Sequence, residues 1–109
     1  MAFLLQHLVQ GAVDSYPDNV AVAFRDRQIS YRELAEQSDC LAAQMIDRGL
    51  QPGDRVGIFH AKSIESIVTM VASLKAGGVY VPIDPLAPVQ RVSYIINNCG
   101  IRHLVSTTD

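Results

Sequence analysis

The chain contains 109 residues, of which 49% are apolar and 18% charged, and its formal net charge is −2. This length suits one domain with a buried core, and the mixed charge offers no basic face for nucleic acid or an anionic membrane. No apolar run reaches the roughly 18–20 residues that a transmembrane helix needs, and the first residues lack the basic region and cleavage site of a signal peptide. We therefore expect a cytoplasmic chain with neither nucleic acid nor membrane as a partner.

The first half of the chain is predicted to form a helix, a hairpin and a second helix. Apolar residues at helical spacing predict the first helix over residues 3–14. Two short β-runs, Val20 to Phe24 and Gln28 to Ser30, flank a polar turn and predict a β-hairpin. Ser30 and Glu33 have the spacing of a capping box, so the second helix is expected to begin directly after the hairpin.

Strands and helices alternate in the second half. Arg55 to Phe59 is a short apolar strand, and Ser63 is a suitable N-cap for the helix that follows it. Val79 to Ile83 is interpreted as the central strand, and Pro88 fits the first turn of the next helix. Ile101 to Val105 is the last strand. The pattern predicts an α/β fold in which an N-terminal helix and β-hairpin precede alternating helices and parallel strands.

Two adjacent glycines, Gly77 and Gly78, resemble a phosphate-binding loop in composition only. Such a loop follows a strand and opens a helix, so that backbone amides point at the anion. Here the glycines follow a helix and open a strand. They are therefore interpreted as a helix C-cap and a close-packing site, and at least one is expected to have a positive φ or a close backbone contact.

Two residues follow strands at the carboxyl edge of the predicted sheet, where open α/β sheets bind ligands. His60 comes after the first strand, but no neighbouring carboxylate or second histidine accompanies it in the sequence, which favours a structural role. Asp84 comes after the next strand and either orients a ligand or caps the turn before Pro85, with the turn favoured. Both residues are kept as ligand-proximal candidates.

The other histidines and the cysteines show no catalytic pattern. His7 and His103 are expected to be structural or exposed. Cys40 and Cys99 lie far apart without metal-ligand spacing, so a reduced chain in which they pack is the simpler interpretation, and a disulfide stays open. No catalytic, cofactor-binding or metal-binding residue is assigned.

Residues 74–85 read Leu-Lys-Ala-Gly-Gly-Val-Tyr-Val-Pro-Ile-Asp-Pro, and residues 29–34 read Ile-Ser-Tyr-Arg-Glu-Leu. These stretches resemble the second and first core motifs of the adenylate-forming (AMP-binding) superfamily, which includes acyl-CoA synthetases and the adenylation domains of nonribosomal peptide synthetases. Isoleucine at position 29 replaces the leucine that usually leads the first motif. The similarity covers nearly the whole chain. The positions that carry it are Ser30, Tyr31, Glu33, Leu34, Leu74, Lys75, Ala76, Gly77, Tyr80, Pro82, Asp84, Pro85 and Arg91.

The resemblance implies a ligase that joins a carboxylic acid to ATP with Mg²⁺ and releases pyrophosphate. The acyl group then passes from acyl-AMP to the thiol of CoA or of a carrier-protein phosphopantetheine. In the family, the phosphate loop and the catalytic lysine lie further downstream. Residues 1–109 are therefore expected to be an incomplete N-terminal portion of an adenylation domain, inactive and binding no cofactor alone. Its expected partner is the remainder of the same enzyme, and its sheet edges would permit self-association.

Two other classes of function stay open at this point. The chain could be a non-catalytic interaction module that reuses this fold segment. It could also be a stand-alone α/β domain that binds a small ligand near His60 and Asp84. The acid substrate and the choice between CoA and a carrier protein are open as well.

Overall fold

The structure is a computed structural model that describes residues 5–59 and 63–106, with side-chain environments for residues 10–59, 63–101 and 103–105. The predicted order of helices and strands is confirmed. The first helix ends at residue 15 rather than 14, and predicted positions 3 and 4 lie outside the described residues. The elements are α1 (Leu5–Ser15), β1 (Val20–Phe24), β2 (Arg27–Ser30), α2 (Tyr31–Asp47), β3 (Arg55–Phe59), α3 (Ile64–Lys75), β4 (Val79–Ile83), α4 (Val89–Asn98) and β5 (Ile101–Ser106).

Local side-chain and backbone contacts fix where the helices begin. The Ser30 hydroxyl accepts from the Glu33 amide at 3.2 Å, and the Glu33 carboxylate accepts from the Ser30 amide at 3.1 Å, so the predicted capping box starts α2. Ser63 and Ser66 form the same reciprocal pair at the start of α3. Pro88 occupies the N-cap of α4, one position before the predicted first turn, and its carbonyl accepts from the next turn's amides.

The strands of residues 5–59 and 63–106 form two separate sheets. Strands β1 and β2 pair antiparallel as the predicted hairpin, and the other three strands form a parallel sheet in the order β4-β3-β5. The interpretation of Val79 to Ile83 as the central strand was wrong, because β3 lies in the centre and β4 at an edge. Pro82 explains the difference: it has no amide proton to donate, which an edge strand tolerates better than a central one. Val56 of β3 is fully buried, whereas Val79 of β4 is half exposed.

Helices cover the parallel sheet from two sides. Val56, on one face of β3, packs in a core cluster with residues of α2 and α3. Gly57 points the other way, and a Cβ there would lie only 3.0–3.1 Å from the side chains of Leu104, Ile101 and Ile83, so glycine leaves room for them. The connection from β3 leads to β4 on one side of β3, and the connection from β4 passes back across β3 to β5 on the other side. Because crossovers between parallel strands are right-handed as a rule, these opposite directions imply that α3 and α4 lie on opposite faces of the sheet.

The hairpin and α1 complete a second packed region beside the sheet. Ile29 of β2, Leu34 of α2, and Ile64 and Val68 of α3 form its buried cluster. The α1 helix lies against α2 and α3. The long α2 helix therefore joins the two regions, because its first turns face the hairpin and its last turns face the parallel sheet.

Candidate functional site

The carboxyl ends of the three parallel strands lie at one edge of the sheet. These ends are Phe59, Ile83 and Ser106, and Phe59 pairs in register with both of the others. The connection after β3 leads to one side of this strand, and the connection to β5 leads to the other side. The crevice between the carboxyl ends of β3 and β5 is therefore the topological switch point of the sheet. His60 follows Phe59 directly but lies outside the described residues, so its ligand-proximal role stays a prediction.

Asp84 follows β4. Strand β3 lies between β4 and the crevice at the switch point, so Asp84 is not at the crevice itself. Its carboxylate accepts from the Leu86 amide at 2.9 Å, and its carbonyl accepts from the Ala87 amide at 3.1 Å. This is the turn contact that the sequence favoured. The side chain is exposed, and a role for it in binding a ligand stays a prediction.

The adjacent glycines use their amides to close α3. Gly77 has a φ of +85° and donates to the Leu74 carbonyl at 3.1 Å, while Gly78 donates to the Ser73 carbonyl at 2.8 Å. These two bonds form a Schellman motif, in which both amides are used by the helix itself. A phosphate held by this turn would find neither amide free. The prediction of a C-cap with a positive φ is confirmed.

Gly78 also makes the close approach that was predicted as an alternative. A Cβ on this residue would lie 3.2 Å from the Asp54 carbonyl oxygen and 3.3 Å from the Val56 side chain. The Val79 amide donates to the same Asp54 carbonyl, and the Gly53 amide donates to the Gly77 carbonyl, both at 2.8 Å. The glycine pair therefore joins the turn before β3 to the turn before β4.

Lys75, a position shared with the second core motif, joins two helices. Its ammonium donates to the Ser38 hydroxyl at 2.8 Å, to the Asp39 carboxylate at 2.7 Å and to the Ala35 carbonyl at 3.4 Å. Its side chain is only 14% exposed, and Ser38 is fully buried. The motif lysine thus connects the last turn of α3 to the middle of α2, away from the carboxyl edge of the sheet.

The remaining motif positions also serve the fold. Leu34 is buried in the cluster beside the hairpin, and the Tyr31 amide donates to the Asn19 carbonyl. The Leu74 carbonyl receives the Gly77 amide, and Ala76 is the buried C-cap of α3. Among the rest, Tyr80 and Pro82 pair with β3, Pro85 is half-buried, and Arg91 is exposed with its amide bonded to the Pro88 carbonyl.

One polar pair connects β5 with the turn before β3. The His103 ring nitrogen Nε2 lies 3.1 Å from an Asp54 carboxylate oxygen, and the two side chains are 27% and 16% exposed. This contact agrees with the expectation that His103 is structural or exposed. The sequence did not predict its partner, because 49 residues separate the two and no local pattern marks the pairing.

The described residues offer little metal-binding or thiol chemistry. Within residues 5–59 and 63–106, no group of three or more histidine, cysteine, aspartate or glutamate side chains could hold a metal ion. Cys40 and Cys99 are both free thiols. Cys40 lies exposed on α2 with its sulfur 3.9 Å from the Gln44 amide nitrogen, so the expectation that it packs was wrong. Its position on the outward side of the helix is the physical reason.

A parallel α/β sheet with these motifs at its turns defines the class of protein, and comparison with known proteins names the family. Residues 9–109 match the model of the AMP-binding enzyme family. Gramicidin S synthase 2 of Brevibacillus brevis is 39% identical over 102 residues, which are 94% of this chain and 2% of that protein. Tyrocidine synthase 1 of Brevibacillus parabrevis is 38% identical over 94 residues, which are 86% of this chain and 9% of that protein.

Solved structures agree with the sequence relatives. The N-terminal subdomain of Klebsiella oxytoca NpsA, in complex with 3-hydroxyanthranilyl-AMSN, is 35% identical and superposes with a TM-score of 0.88. The match covers 94% of this chain and 26% of the NpsA subdomain. The chain belongs to the AMP-binding enzyme family, and it corresponds to the N-terminal portion of its adenylation domains. It spans only a small part of the curated relatives that it matches.

In the described part of the chain, no helix is both long and apolar enough to cross a bilayer.

Proposed function

We propose that this chain is the structural N-terminal segment of an adenylation domain, incomplete over residues 1–109. The complete enzyme would join a carboxylic acid to ATP with release of pyrophosphate, and then transfer the acyl group from acyl-AMP to a thiol. The observation that carries the proposal is the family match over residues 9–109, to which the NpsA superposition adds the same fold.

The relatives of this chain support the peptide-synthetase branch of the family. The structure of FmoA3 is that of a nonribosomal peptide synthetase, and NpsA has also been solved as an artificially fused adenylation–PCP di-domain of this class. On this basis we propose a carrier-protein phosphopantetheine, rather than CoA, as the thiol acceptor of the complete enzyme.

Within that enzyme, this segment would supply the platform rather than the chemistry. Its glycine pair uses both amides to cap α3, and its motif lysine is held between two helices. Neither feature fits the phosphates of ATP, which need free amides or a cation aimed at the anion. ATP and Mg²⁺ would therefore be held by residues outside this chain, and its main partner would be the rest of the same enzyme.

A chimera tests the proposal. The segment of NpsA that matches this chain is replaced by residues 1–109, and ATP–pyrophosphate exchange is measured with the acid corresponding to the 3-hydroxyanthranilyl group. We expect exchange by the chimera and none by the isolated chain, because the family's phosphate loop and catalytic lysine, which stabilise charge on the transferred phosphates, lie downstream of the segment that this chain matches.

Two outcomes would contradict the proposal. One is exchange activity in a homogeneous preparation of the isolated chain, which would place the catalytic groups within these residues. The other is a folded chimera, with a melting temperature near that of NpsA, that has no exchange activity. A Gly78→Val chimera is the matched control, because it should destabilise the segment without touching any group proposed to bind ATP.

A further inference from the structure

We draw no further inference here: the strongest candidate, the apolar surface that α4 and the turn before it expose at Leu86, Val89 and Tyr94, carries none, because nothing in the described part of the structure shows what covers it.

Discussion

Valine at either of the two adjacent glycines is expected to destabilise the chain, but for different reasons. At Gly77 the reason is conformational: φ is +85°, and the nearest atom to a new Cβ is 3.7 Å away. At Gly78 the reason is packing, because a new Cβ meets the Asp54 carbonyl oxygen at 3.2 Å and the Ser73 carbonyl oxygen at 3.4 Å. Backbone oxygens in hydrogen-bonded turns cannot move aside as a side chain can.

The two reasons predict different losses of stability when asparagine, alanine or valine replaces each glycine. An L-residue in the left-handed region costs about 1–2 kcal/mol, offset by about 0.4–1 kcal/mol from the restricted unfolded chain. The difference is roughly 0–1.6 kcal/mol. Gly77→Val should lie near its upper end, at about 1–1.5 kcal/mol, because a β-branched residue is disfavoured in this region, and Gly77→Asn should cost about half as much, because asparagine tolerates it. Any Cβ at Gly78 overpacks, so alanine, asparagine and valine should each cost about 1–3 kcal/mol there.

Thermal melts and urea unfolding, followed by far-ultraviolet circular dichroism, measure these differences. For a chain of this length, about 1 kcal/mol corresponds to roughly 4 °C in Tm. The reasoning would be refuted if Gly77→Asn melted as low as Gly77→Val. A Gly78→Ala variant that melted like the parent would refute it equally.

Three further predictions follow from contacts elsewhere in the chain. Lys75→Met should lower the free energy of unfolding by about 1–3 kcal/mol, because it removes charged hydrogen bonds to the buried Ser38 hydroxyl. Asp39→Asn changes the exposed partner of Lys75 and should cost less than about 1 kcal/mol. Equal losses for the two variants in urea unfolding would contradict this difference. Ser30→Ala should cost about 1 kcal/mol through the lost N-cap, whereas Ser30→Asp should retain most of the stability, and identical melts for the two variants would count against the capping box. The isolated chain should be marginally stable or self-associate, because each Å² of apolar area left uncovered loses about 25 cal/mol of stabilising free energy. Sedimentation and urea unfolding measure this. A monodisperse monomer with a cooperative transition would show an autonomous domain instead.

Exposed apolar residues are the physical basis for the expected marginal stability of the isolated chain. Leu86, in the turn before α4, is 91% exposed, and on α4 itself Val89 is 80% exposed and Tyr94 is exposed as well. Within its described residues, α4 has no buried side chain. A helix that buries so little of its apolar side is expected to need further protein against it, which agrees with the proposal that residues 1–109 are an incomplete unit.

The sequence by itself determined the local structure. Ser30 and Glu33 stand three residues apart, and Gly77 ends a helix within one turn, so the atoms that bond are neighbours along the chain. Contacts of this kind depend on residue type and spacing alone, which is why the start of α2, the end of α3 and the order of elements could be predicted. The motif pattern likewise sufficed for the family.

Only the tertiary structure decided the contacts between distant residues. The sequence suggested that Val79 to Ile83 lies in the centre of the sheet, because an apolar run looks alike in a central strand and in an edge strand that is partly covered. The partners of Lys75 lie 36–40 residues away, and those of His103 lie 49 residues away. Pro82 was a local sign that β4 lies at an edge. The rest of the strand order and such pairings depend on the direction of each crossover and on how all the helices pack together, which no local pattern of residues encodes.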